Sequence, residues 1–111
     1  MKATSERPAL LSVDGGRWSL SGALTIDGAA RVLAASRATE LPASGVASLA
    51  GLGRVDSAAV AVLLAWRRRA LRESKSLVFA GVPSNLAALA QLYGVEQLIS
   101  AEAEGSRAPA A

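Results

Sequence analysis

Apolar residues along this chain come in short runs divided by glycine, proline and Asp-Ser junctions, and the period of each run predicts an element. Residues 1–8 are polar and end in Pro8, which predicts a flexible N-terminus. The run over 10–14, the pair Gly15-Gly16 and the run resuming at Trp18 and ending before Gly22 predict two short strands joined by a tight hairpin. From Leu24 the period changes. Ile26, Ala29, Ala30, Leu33 and Ala34 recur at helical spacing, with Thr25 or Asp27 as cap, and that helix ends by Pro42. Residues 45–52 (GVASLAGL) are small, apolar and bounded by glycines, which predicts a central strand buried on both faces.

The stretch Gly53-Arg54-Val55-Asp56-Ser57 leads into a long helix over about 58–73. Asp56 or Ser57 is its natural N-cap, because either side chain accepts from the free amides of the first turn. Residues 77–80 predict a further strand, stopped by Gly81 and Pro83. Residues 84–93 predict a second amphipathic helix with Gly94 just past its end. The pattern leaves the type of 95–99 open, and the tail over 101–111 reads as disordered. The order β-β-α-β-α-β-α predicts an α/β domain over 9–100, a mixed sheet of four or five strands with interleaved helices.

On a wheel of about 100° per residue, Val60, Leu63, Leu64, Arg67 and Leu71 of the long helix share one arc, which is expected to face the sheet. Ala59, Val62, Trp66 and Ala70 widen the apolar sector. The remaining face holds Ser57, Ala58, Ala61 and Ala65, followed by Arg68, Arg69 and Arg72. An ordinary solvated face would carry Glu, Lys or Gln along its length; the plain alternative for this one is that it is Ala-rich because Ala is the best helix former. This one is small and uncharged for two turns, which lets another backbone come close, and its arginines can pair with carboxylates. An interaction surface is therefore expected, formed by Asp56, Ser57, Ala58, Ala61, Ala65 and Arg68.

Composition narrows the chemistry. At about 100–200 residues per domain, a chain of 111 residues is one domain, and 51% hydrophobic residues mark it as folded. There is no Cys and no His, which excludes a thiolate nucleophile, a Ser-His triad, a zinc finger and an imidazole base. Asp14, Asp27 and Asp56 are scattered singly, without the spacing of an acid–base pair or a metal site. Gly51-Leu52-Gly53 lacks the spacing of a phosphate-binding loop and is expected to relieve crowding at a strand end. Trp18 and Trp66 are expected in packing rather than in ligand stacking. The chain is expected to be no enzyme and to carry no metal or cofactor.

The net charge of +3 comes from one cluster, Arg67, Arg68, Arg69 and Arg72; without it the charges nearly balance. No aromatic-rich strand lies beside that cluster, so no nucleic-acid partner is expected. The N-terminus lacks an apolar signal-peptide core, and the longest apolar run, over 58–66, is far short of the ~20 residues of a membrane span. A cytoplasmic protein is expected. Ser57 carries a further reading, a phosphorylation switch, since a phosphate there would meet free amides and the positive end of the helix dipole. Repulsion from Asp56 opposes it, and spacing alone favours a cap.

These segments resemble a known family. VASLAGLGRVDSAAVAVLLAWRRRA followed by LVFAGVPSNLAALAQLYGVEQLI resembles a STAS domain, the fold of anti-sigma-factor antagonists and of the C-terminal domains of sulfate transporters. The Val55-Asp56-Ser57-Ala58-Ala59 junction carries most of the likeness. Gly81-Val82, Leu89 and Leu92-Tyr93-Gly94 carry the rest. Leu20-Ser21-Gly22-Ala23-Leu24 and Leu92-Tyr93 resemble the MlaB-type branch, the small STAS subunits of Mla phospholipid ABC transporters, which act in outer-membrane lipid asymmetry. The resemblance implies a STAS fold of the anti-sigma-factor-antagonist kind. It also implies an adaptor that binds an MlaF-like ATPase subunit through Ser57, and so meets the permease and the cytoplasmic face of the inner membrane indirectly. Nucleotide and Mg²⁺ would belong to that ATPase. The alternative it implies is an anti-anti-sigma factor phosphorylated on Ser57 by a serine-kinase anti-sigma factor. Against the antagonist pattern D-S-S-G-L, Ala58 replaces the second Ser and Ala59 the Gly, which favours a constitutive contact.

Overall fold

The computed structural model describes residues 7–99; the expectations for residues 1–6 and 100–111 lie outside the described residues. Its elements are β1 (Leu10–Asp14), β2 (Arg17–Leu24), α1 (Ile26–Arg37), β3 (Val46–Val55), α2 (Ser57–Arg72), β4 (Val78–Ala80), α3 (Ser84–Leu92) and α4 (Glu96–Ile99). The open segment over 95–99 is thus a short helical turn. The strands form a four-stranded sheet in the order β1-β2-β3-β4. β1 and β2 are antiparallel, whereas β2–β3 and β3–β4 are parallel and joined through α1 and α2. Gly15 and Gly16, both at positive φ (60° and 78°), make the hairpin turn that the sequence predicts. Pairing begins before the expected boundary at residue 9: Pro8 bridges Ala23, whose N–H donates to the Arg7 carbonyl at 2.7 Å.

β2 runs through Gly22 to Leu24, so Leu24 closes a strand instead of opening a helix. Along β2, Trp18, Leu20 and Leu24 are buried while Arg17, Ser19 and Ser21 are exposed. β3 behaves alike, with Ala47, Leu49 and Leu52 buried and Ala50 and Gly51 exposed. The expectation of burial on both faces is therefore corrected: the sheet has one covered face. Small residues hid this, because Ala and Gly on the open face of β3 look as apolar as those beneath. Register shifts between β2 and β3 fall between Ser19 and Ser21 and between Gly22 and Leu24. They put Ala50 and Gly51 together on the open face and bring Leu52 back inward. A Cβ on Gly51 would stand 2.9 Å from that of Ser21, so glycine relieves crowding within the strand, not at its end.

The helices pack on the covered face, and their orientations differ from the wheel expectations. In α1 the buried residues are Gly28, Ala29, Val32 and Ser36, while Ile26, Ala30 and Ala34 are exposed. In α2 the buried residues are Ala58, Ala59, Val60, Val62, Leu63, Trp66 and Ala70, so Val60 and Leu63 of the expected arc face inward, while Leu71, expected with them, is 73% exposed. Trp66 fixes that rotation. Its ring meets Trp18 edge-on at 5.0 Å, and its indole N–H donates to the buried Ser36 Oγ at 2.9 Å, which itself donates to the Leu33 carbonyl. A polar tip with one available partner aims the ring, and the ring aims the helix.

Candidate functional site

β3 delivers the chain to the head of α2 through Asp56, which is extended (φ −138°) and acts as the N-cap. Its Oδ1 accepts from the Ala58 N–H at 2.8 Å, and its main-chain carbonyl accepts from the Ala59 N–H at 2.9 Å. The second carboxylate oxygen reaches across the fold. Oδ2 accepts from the Ile26 N–H, the first residue of α1, at 3.0 Å. Thr25 occupies the N-cap position of α1, but its side chain makes no capping bond. One carboxylate thus caps both helices, where the sequence predicts a local cap by Thr25 or Asp27. Each bond also places negative charge at the positive end of a helix dipole.

Ser57 follows as the first residue of α2; it is exposed, and its hydroxyl has no hydrogen-bond partner among the described residues. Ala61 is exposed one turn on, Ala65 is half-buried and Arg68 is exposed. The structure therefore brings Ser57, Ala61, Ala65 and Arg68 onto one outward face about 16 Å long. Two expected members sit differently. Ala58 is 8% exposed and lies beneath this face, and Asp56 is half-buried with both carboxylate oxygens engaged. Of the residues the wheel assigned to the core arc, Leu64 is half-buried and packs against the core, while Leu71 is exposed and borders the face instead.

The arginine cluster divides. Arg67 Nη1 donates to the Leu77 carbonyl at 3.2 Å. Arg69 turns to the end of α1, donating to the Ser36 and Thr39 carbonyls at 2.9 Å each, and its Nε pairs with Glu73 at 2.8 Å. Arg69, grouped by the wheel with Arg68 and Arg72 on the outward side of α2, instead closes the α1–α2 corner, while Arg68 and Arg72 face solvent. The Arg69 guanidinium hydrogen-bonded to Glu73 holds that carboxyl below the usual carboxylate range.

Two amides in the first turn of α2 are already engaged: Ala58 donates to the Asp56 carboxylate and Ala59 to its main-chain carbonyl. A depression of about 380 Å³ beside the head of α1, lined by Pro8, Ala23, Thr25, Asp27, Arg31 and Arg54 among others, is open and mixes polar with apolar surface. Among the described residues no three His, Cys, Asp or Glu side chains gather to hold a metal ion, and no helix is long and apolar enough to cross a membrane. Ile26, which shares the apolar helical spacing of α1, is exposed at the first position of that helix.

A four-stranded mixed sheet with interleaved helices and an Asp-Ser helix head on β3–α2 defines an α/β domain of the STAS type. The family model described as "Mlab, STAS domain" matches residues 11–100, and the chain belongs to that family, the MlaB-type STAS domains. The comparison with curated proteins gives no match. Membership supports a STAS-type regulatory or adaptor role.

Proposed function

We propose that this chain is a non-enzymatic adaptor subunit that docks the head of α2 onto the cytoplasmic MlaF-like ATPase of an Mla-type phospholipid ABC transporter. Through that ATPase it meets the permease at the cytoplasmic face of the inner membrane. The observation that carries the reading is the state of Ser57 and Ala61: exposed, uncharged and on a helix head where the Ala58 and Ala59 amides already donate to Asp56. Such a surface needs no internal partner and offers a close, neutral approach to another protein. Docking regulates through linkage, because an adaptor that binds the active ATPase arrangement more tightly than others shifts the population toward it.

The test is co-purification with the ATPase. Ser57→Arg places a long cation on the neutral face and is expected to abolish capture while leaving the unfolding transition in place. Ala61→Glu probes the same face one turn along. Full capture of both variants would remove the assigned face. Recovery of a serine-kinase anti-sigma factor in place of the ATPase would replace the transporter reading with the sigma-regulatory one.

A further inference from the structure

The two edges of the sheet are finished differently. On the β4 side the outer strand has only three residues, with Lys75 shortly before it and Gly81 and Pro83 after it. Beyond its end the Asn85 side chain donates to the Gly53 carbonyl at 2.9 Å, so main chain of β3 that β4 does not cover is engaged there. Short length, lysine and proline all keep an edge from pairing with another chain. β1 is the opposite edge among the described residues, and it carries neither Lys nor Pro between Leu10 and Asp14. Its register on β2 is unbroken from the Leu10–Ser21 pair to the Asp14–Arg17 pair, so no bulge turns it away. Leu10 is 62% and Val13 53% exposed, on opposite faces of the sheet.

The hairpin fixes which main-chain groups of β1 are left over. Gly15 and Gly16 form a two-residue turn, so Asp14 and Arg17 close it as a hydrogen-bonded pair and the ladder alternates from there. Leu10, Ser12 and Asp14 therefore turn their N–H and C=O groups to β2, whereas Leu11 and Val13 turn theirs outward. A second β1, antiparallel and related by a twofold axis at Ser12, meets both: Leu11 of each copy comes opposite Val13 of the other. Each such pair exchanges two main-chain hydrogen bonds and sets two apolar side chains together on the helix-covered face. Shifting the register by two residues either way puts Pro8 opposite Asp14 or Leu11 opposite Gly15, and loses that match.

We propose that β1 is a self-association edge: two copies of this chain pair their β1 strands antiparallel about Ser12 and join their sheets into one. The occupant is a second copy because the strand is complementary to itself in the register that uses its outward groups between Pro8 and the turn. Such a contact is isologous and closes at two copies. Five residues of strand span about 17 Å, and an edge of that length falls short of the roughly 800 Å² per partner of a stable interface. The association is therefore weak and depends on concentration. It uses none of the residues of the α2 face and is independent of the function proposed above.

The experiment is sedimentation equilibrium of the full chain alone, from about 1 μM to about 1 mM. The wild type is expected to pass from monomer to dimer within that range. Val13→Lys charges the edge without touching a bond to β2, and is expected to weaken association tenfold or more while the unfolding curve of the monomer stays in place. Ser12→Cys reads the register, since the chain has no cysteine of its own. Opposite residues of a non-hydrogen-bonded pair stand about 4.5 Å apart at Cα, within reach of a disulfide. Mild oxidation is expected to cross-link Ser12→Cys into a dimer. Leu10→Cys is expected to stay uncross-linked, because Leu10 of the second copy lies four residues along, about 13 Å away. A wild type that stays monomeric throughout overturns the proposal and leaves the edge to a strand of another protein. A dimer that Val13→Lys leaves at full strength, or a cross-link at Leu10 with none at Ser12, overturns it as well.

Discussion

The two ends of α2, one small and neutral and the other arginine-rich, are used in opposite ways. At its tail, Arg67 and Arg69 turn inward to the carbonyls of Leu77, Ser36 and Thr39, and Arg69 also takes Glu73. At its head, the half-buried Asp56 does all the capping, and Ser57 and Ala61 are left outward and unengaged. The charged end, which invites a binding role in the sequence, is largely architecture. The bland end is available. A residue's chemistry suggests what it can bind, but its existing hydrogen bonds decide whether it is free to do so.

That contrast can be broken from either end. The largest effect on stability is expected from Arg69→Ala, which removes a charged donor from two part-buried carbonyls and should cost about 2–3 kcal/mol in chemical denaturation. Asp56→Ala comes next. It uncaps α1 and α2 together and should cost about 2 kcal/mol. Ser57→Arg and Ala61→Glu should stay within about 0.5 kcal/mol of wild type in the same assay while losing the ATPase.

The smallest effect is expected at Glu73, whose lowered pKa makes a signed prediction. A carboxyl depressed in the folded state contributes stability above its unfolded pKa, and that contribution is lost as pH falls through the folded value. Wild-type stability should therefore drop slightly more steeply than that of Glu73→Gln on acidification below the ordinary carboxylate range. An identical acid slope in the two proteins would show that the Arg69–Glu73 pair contributes nothing.

Much of the fold was legible in the sequence, and the reasons are local. Asp14-Gly15-Gly16 between apolar runs specifies a hairpin, and the Asp-Ser junction specifies a helix start. The orientations were not legible. The wheel grouped Leu71 with Val60, Leu63 and Leu64 in the core arc and left Trp66 on its flank, whereas Leu71 is exposed and the Trp66 indole is buried against Ser36, thirty residues away. Ile26 shares the apolar spacing of α1 yet is exposed: periodicity records what could be buried, and Ala29, Val32 and Ser36 fill the inward side. That Ser57, Ala61, Ala65 and Arg68 share one face was readable because helical spacing alone requires it; packing decides which way that face points. The bond from Asp56 to Ile26 was not, since it joins the heads of two helices through the tertiary fold.

The most direct test of the account is the affinity of purified wild-type and Ser57→Arg protein for the transporter ATPase, each with its unfolding curve. The account predicts binding by the wild type, loss of binding by the variant and superimposable unfolding. Equal binding by the two folded proteins would contradict it.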